Sequence, residues 1–223
     1  MIQIKICGLQ QKTDIEKTIS CGGNSLGFIL APSPRNVSLK KATNLTKNLP
    51  PFVSTTAVVV NPSPGRLQEI IGTRSFDYIQ FHGKEPPELL KRARKQNIRV
   101  IKGIPVANKI DTDELKKYQK VADFFLFDTS INEKSGGTGK TFDWSLLEKI
   151  EIDRPFILAG GLGPKNIEKA LNNVNPRAVD INSKIEKKPG KKDHRLMDEL
   201  FMKIENWLQK NTLNHVTIKK EKV

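Results

Sequence analysis

Eight short apolar, β-branched runs recur along this chain, each followed by a stretch of helical periodicity, and this alternation limits the fold more than any other feature. The strand candidates are Gln3–Ile6, Leu26–Leu30, Thr56–Val60, Tyr78–Phe81, Arg99–Lys102, Phe124–Phe127, Phe156–Ala159 and Ala178–Ile181. Helical patterns lie between and after them at Thr13–Ser20, Leu39–Leu49, Gly65–Ile71, Pro87–Lys95, Asp111–Tyr118, Trp144–Ile150, Pro164–Leu171 and His194–Lys210. Strands alternating with helices imply βαβ units and a parallel sheet. Eight such units close that sheet into a single α/β (β/α)8 barrel. A doubly wound open sheet fits less well, because its first turn carries GxGxxG and this chain reads Cys7-Gly8-Leu9 there. Pro87 and Pro164 fall where a first helical turn begins, and Asp111 and Asp143 stand as caps ahead of helical runs.

The length of 223 residues suits one such barrel without disulfide staples. The two cysteines, Cys7 and Cys21, make no CxxC and no metal-ligand spacing, so free thiols, no metal site and a reducing compartment are expected. The opening MIQIKICGLQ lacks an apolar leader core, and no apolar run reaches the roughly 20 residues of a membrane helix. A cytoplasmic protein with no membrane partner is the expectation. A net charge of +14 raises the question of nucleic acid, but basic residues are spread along the chain and aromatics are only 6%, too few for a stacking platform. The positive field would instead draw in a small polyanion. Residues 1–210 account for the barrel; residues 211–223, ending HVTIKKEKV, read as a charged tail and a candidate for disorder.

In a (β/α)8 barrel the site is built at the C-terminal ends of the strands. Reactive residues collect there. Cys7 follows strand one, Arg35 lies in the loop after strand two, His82 follows strand four and Asp128 follows strand six. Gly160-Gly161 follow strand seven, and Asn182-Ser183-Lys184 follow strand eight. A glycine pair at a helix start offers free N–H groups to an anion, although it also makes an ordinary tight turn. Asp128 ends the run Phe124-Phe125-Leu126-Phe127, an apolar wall that suits a protonated carboxyl. Cys7 serves as a base only as thiolate, which needs a positive neighbourhood; Lys5 and Arg35 are candidates. His82 could be acid, base or ligand, and Arg35 offers a planar fork to a carboxylate. The loop Ser135–Lys140 holds three glycines at off-P-loop spacing and reads as a cover able to fold over a ligand.

These motifs together resemble the phosphoribosylanthranilate isomerase family. The resemblance rests on Lys5-Ile6-Cys7-Gly8, Pro34-Arg35, Gln80-Phe81-His82-Gly83, Phe127-Asp128-Thr129, Gly136–Trp144, Leu158–Leu162, Val179-Asp180, Glu186 and Pro189–Asp193. It implies a TIM barrel of the ribulose-phosphate-binding type that isomerises N-(5-phosphoribosyl)anthranilate by an Amadori rearrangement in tryptophan biosynthesis, without metal or organic cofactor, as a monomer or homodimer. By the same resemblance Asp128 is the general acid at the ring oxygen, Cys7 the base at ribose C2, and Arg35 the partner of the anthranilate carboxylate. Gly160, Gly161 and Ser183 form the phosphate site. Where the family has Ser-Ser-Gly, this chain has Asn182-Ser183-Lys184, so either Lys184 contacts the phosphate itself or the loop shifts. The loop Ala31–Ser38 is about one residue shorter than is usual in the family.

Two other enzyme classes fit less well. The analogous isomerase of histidine biosynthesis uses paired aspartates where this chain has Cys7. Indole-glycerol phosphate synthase needs lysine acids at its strand ends. A barrel that only binds phosphorylated ligands or nucleic acid would show steep salt dependence and no turnover.

Overall fold

In the computed structural model, which describes residues 2–131, 134–135 and 141–220, eight parallel strands form a closed ring. They are β1 (Gln3–Ile6), β2 (Ser25–Ile29), β3 (Ser54–Val59), β4 (Tyr78–Phe81), β5 (Arg99–Val106), β6 (Phe124–Ile131), β7 (Phe156–Leu158) and β8 (Ala178–Ile181). Each strand pairs with its neighbours in sequence, and β1 closes on β8 with Gln3 opposite Ala178 and Lys5 opposite Asp180. The expected (β/α)8 barrel is therefore the fold. β5 runs on to Val106, past the expected end at Lys102, because its pairing with β6 continues to Val106 opposite Thr129.

Among the described residues, seven α-helices surround the ring: α1 (Lys12–Ser20), α2 (Leu39–Thr46), α3 (Pro64–Gly72), α4 (Pro87–Arg94), α5 (Thr112–Tyr118), α6 (Ile167–Val174) and α7 (His194–Lys220). The Asp111 carboxylate accepts from the backbone N–H groups of Asp113 and Glu114, and Pro87 opens α4, as the sequence predicts. The helix expected at Trp144–Ile150 is instead a 3₁₀ turn, Trp144–Leu147, capped by Asp143. Trp144 and Leu147, three residues apart, are its buried anchors, and three-residue spacing places both on one face of a 3₁₀ turn. The helix expected from Pro164 begins at Ile167. Asn166 holds the preceding residues as a closed turn, accepting from Gly163 N–H at 2.9 Å and donating to Gly161 O at 3.0 Å. α7 continues to Lys220, so most of the stretch expected as a separate tail prolongs the last helix. Residues 221–223 lie outside the described residues.

Both faces of a barrel strand are buried, one by helices and one by the barrel interior. Ile4, Ile6, Ile79, Phe81, Val179 and Ile181 belong to the large apolar core. The alternate positions Lys5, Gln80 and Asp180 are buried as well, yet they are polar. They line the two ends of the barrel interior: Lys5 borders a cavity at the strands' N-terminal ends, and Gln80 and Asp180 one at the C-terminal ends. Polar side chains inside a barrel need partners; those partners form the site.

Candidate active site

A cavity of about 440 Å³ opens at the C-terminal ends of the strands, within the range of small-molecule sites. Cys7, Arg35, His82, Asp128, Gly160, Gly161 and Ser183 all line it. Seven of the eight residues singled out in the sequence therefore meet in one place.

Cys7 forms the floor on the β1 side. Lys5, two residues earlier on the same strand face, donates to Asp180 Oδ2 at 2.8 Å, and both side chains are almost fully buried. Burial pushes the Cys7 thiol above its ordinary value; Lys5 pulls it down, Asp180 pushes it up, and Lys192 pulls it down. Burial opposes the charge on Lys5, but Asp180 and Cys7 outweigh it and hold the ammonium in its charged form. Asp180 Oδ1 is buried at the cavity wall with no donor among the described residues.

Across the cavity, His82 Nε2 lies 3.3 Å from Asp128 Oδ2, and Gln80 Nε2 lies 3.1 Å from His82 Nδ1. Gln80 thus engages Nδ1, and Nε2 is the ring nitrogen that faces Asp128. The ring lies flat against β5 at Gly103, where a Cβ would fall 2.6 Å from Nδ1. Below this loop, Glu85 accepts from the N–H groups of Asn61 and Gly83, and the fully buried Lys102 donates to Gly83 O at 2.6 Å. That buried pair shapes the turn carrying His82.

Arg35 is fixed by a forked ion pair. Its Nε and Nη2 donate to Glu186 Oε2 at 2.9 and 2.7 Å, and Lys192 Nζ donates to Glu186 Oε1 at 3.0 Å. Burial pushes Glu186 up, but Arg35 and Lys192 outweigh it and hold its carboxyl below the usual range. Planar pairing of this kind fixes orientation as well as charge. Nη1 takes no part in the fork.

Gly160 and Gly161 both have positive φ, 87° and 64°. A Cβ at Gly160 would lie 2.2 Å from Thr129 Oγ1 and 2.5 Å from Thr129 N, so the chain passes against β6 where only glycine fits. Ser183 opens a 3₁₀ turn, Ser183–Ile185, at the same end of the cavity. Lys184 packs its Cβ on Gly163 and lines a neighbouring cavity with Thr141, Gly161 and Lys165; Gly161 borders both this cavity and the one that holds Cys7 and Asp128. The turn beginning at Ser183 points this side chain outward. Gly136–Lys140, the body of the expected covering loop, lies outside the described residues.

Sequence reasoning singled out the rim; of the layer beneath it, it named Lys5 as a possible neighbour of the Cys7 thiolate but gave Gln80 and Asp180 no role, although both stand in the matching motifs. Their signal was a charged or amide group at every second position of an otherwise apolar strand.

A family model described as "N-(5'phosphoribosyl)anthranilate (PRA) isomerase" matches residues 4–203. The chain is 48% identical over 204 residues to an N-(5'-phosphoribosyl)anthranilate isomerase of Petrotoga mobilis, covering 92% of this chain and 97% of that one. A Thermotoga maritima isomerase is 38% identical over 208 residues, covering 92% and 98%. The solved phosphoribosyl anthranilate isomerase of Thermotoga maritima superposes with a TM-score of 0.82 at 37% identity, over 90% of this chain and 97% of that one. Another solved isomerase, in complex with reduced 1-(o-carboxyphenylamino)-1-deoxyribulose 5-phosphate, gives 0.78 at 32% identity with the same coverage. The fold, the cavity and these likenesses agree: the chain belongs to the N-(5'-phosphoribosyl)anthranilate isomerase family.

Proposed function

We infer that this chain converts N-(5-phosphoribosyl)anthranilate to 1-(2-carboxyphenylamino)-1-deoxyribulose 5-phosphate, with Asp128 as acid and Cys7 as base. The observation that carries the reading is one cavity bordered by a thiol beside a buried ammonium, a carboxyl beside an imidazole, a fixed guanidinium and a glycine cradle. Asp128 protonates the furanose ring oxygen. The nitrogen lone pair then forms C1=N as the C1–O bond breaks. The Cys7 thiolate takes the proton from C2, the C–H pair becomes C1=C2, and the C=N pair returns to nitrogen. Tautomerisation of the resulting enolamine, with a proton to C1, gives the ketose. The proton gained at C1 is matched by the one lost from the C2 hydroxyl, the C1–O pair leaves with the protonated ring oxygen, and the sequence balances as acid–base chemistry. His82 orients Asp128, Gln80 orients His82, and Asp180 Oδ1 accepts from the substrate. Arg35 Nη1 meets the anthranilate carboxylate, while the N–H groups around Gly160, Gly161 and Ser183 hold the phosphate. Lys184, facing the adjoining cavity, adds positive field to that end.

The reaction belongs to the cytoplasm in this reading, and no helix among the described residues is long and apolar enough to cross a membrane. A homodimer is the favoured assembly. Phe52, just ahead of β3 on the face opposite the cavity, is 98% exposed, and a solved relative from Thermotoga maritima is described as dimeric.

Turnover tests the function, and a truncated substrate tests the site. The protein is expected to consume phosphoribosylanthranilate, and the analogue lacking the carboxylate is expected to show a higher KM. Arg35→Ala should raise KM for the full substrate and add little for the analogue. Equal KM values for both substrates in the unmodified protein would contradict the place given to Arg35.

A further inference from the structure

The base in this mechanism has a difficulty of its own. Cys7 is buried, and burial favours the neutral thiol, whereas only the thiolate accepts a proton. The charges that face it are Lys5 from β1, Asp180 from β8 and Lys192 from the segment after β8; behind Asp180 stand Asp128 and His82. Lys192 is committed elsewhere, donating to Glu186 and to Asn182 Oδ1 at 2.9 Å. Lys5 is the cation that acts most strongly on the thiol, ahead of Lys192. The two groups fill one space: a Cβ at Gly27 on β2 would fall 2.9 Å from Cys7 Sγ and 3.0 Å from Lys5 Nζ.

A purely structural role for Lys5 explains less. β1 and β8 are already joined by a four-residue parallel ladder, so the Lys5–Asp180 pair is not needed to close the barrel. An apolar pair would fill the position at no greater cost, since burying two charges commonly cancels their attraction. What an apolar pair would not supply is a fixed positive charge beside the sulfur. Lys5 Nζ has three protons; Asp180 Oδ2 takes one and leaves the others free to meet Cys7.

We propose that Lys5 is the positioning residue of this site: its ammonium, held in register by Asp180, is the fixed counter-ion that keeps Cys7 available as thiolate. This rests on Cys7 being the base. Lys5 touches no substrate atom and acts only through the sulfur. It stabilises the thiolate before C2 deprotonation and releases the thiol afterwards, with no net change in its own charge.

The test uses the full chain with Cys21→Ser, which leaves Cys7 as the only thiol. The rate of Cys7 alkylation by iodoacetamide is followed against pH without substrate, and kcat is followed against pH with substrate. In Lys5→Met the midpoint of both profiles is expected to move upward by about 1–3 pH units, the usual effect of losing an opposite charge at contact distance. The kcat at neutral pH should fall about tenfold for each unit of that shift, with KM little changed. Lys5→Arg keeps the charge and should keep the midpoint near that of the unmodified protein. A folded Lys5→Met protein with an unmoved midpoint overturns the proposal, even if its maximal rate is lower. A second measurement needs no substitution of Lys5. Its nitrogen-15 side-chain resonance is expected to shift as Cys7 titrates and to stop doing so in Cys7→Ser; a resonance indifferent to Cys7 also overturns the proposal. Alkylation needs no substrate, so an unmoved alkylation profile refutes the role of Lys5, whereas absence of turnover refutes the reaction instead.

Discussion

Gly103→Ala adds one methyl group behind the His82 ring, and it should reach the chemistry through that ring. The new Cβ would lie 2.6 Å from His82 Nδ1, 3.2 Å from Cε1 and 3.3 Å from Cγ. Ordinary contact is about 3.5–4.0 Å, so the ring must retreat by roughly 1 Å. His82 Nε2 stands 3.3 Å from Asp128 Oδ2, already long for a hydrogen bond, and such a retreat breaks the contact. Gln80, 3.1 Å from Nδ1, would lose its partner as well. Overpacking of this kind costs about 1–3 kcal/mol of stability, which a barrel of this size survives. Misplacing an orienting group by about 1 Å can cost on the order of 10²-fold in rate. Steady-state kinetics on phosphoribosylanthranilate should therefore show kcat down roughly ten- to hundredfold with KM little changed, beside a modest drop in melting temperature. A folded Gly103→Ala enzyme with unaltered kcat would refute the argument that the His82 ring, held against β5, positions the acid.

Gly160→Ala should damage binding more than chemistry. Its Cβ would meet Thr129 Oγ1 at 2.2 Å and the backbone N at 2.5 Å, at a φ of 87°, so the loop must move. Losing one charge-assisted hydrogen bond to phosphate, about 1.5–3 kcal/mol, raises KM roughly ten- to hundredfold; an unchanged KM would place the phosphate elsewhere. Glu186→Gln tests the fork that fixes Arg35. The Glu186 carboxyl is held below its usual range, so its stabilisation is fully present above the unfolded value of about 4.3 and is lost as pH falls through the lower folded value. Thermal melts in acid should show the gap between the two proteins closing as pH falls; a gap constant down the acid range would contradict the pairing.

How much of this was readable from the chain follows from which contacts are local. The eight strands were legible because apolar runs such as Ile4–Ile6 and Phe124–Phe127 stand between periodic helical segments. Rim residues were legible because they follow each run directly. Of the layer under the rim, Gln80 and Asp180 were not. In a barrel strand both faces are buried, so the alternation of Ile79 and Phe81 with Gln80 does not itself tell which set points inward until the ring closes. The Arg35–Glu186 fork joins residues 151 apart, and Gly27 and Gly103 matter only because side chains of neighbouring strands lie on them. The helix expected at Trp144–Ile150 failed for a different reason. Its apolar spacing, Trp144 with Leu147, serves a 3₁₀ turn as well as an α-helix, and periodicity over one turn does not separate the two. The direction of the Lys184 side chain was not legible because the turn after β8 sets it, and a sequence position carries no direction.

The account stands on Cys7 and Asp128 acting as base and acid in one cavity, and freshly prepared phosphoribosylanthranilate tests this most directly. The unmodified protein should convert it to the carboxyphenylamino deoxyribulose phosphate. Cys7→Ser and Asp128→Asn, each folded, should each lose about 10²–10⁴-fold in kcat, the usual share of one acid–base group. Near-full kcat in either variant would contradict the account.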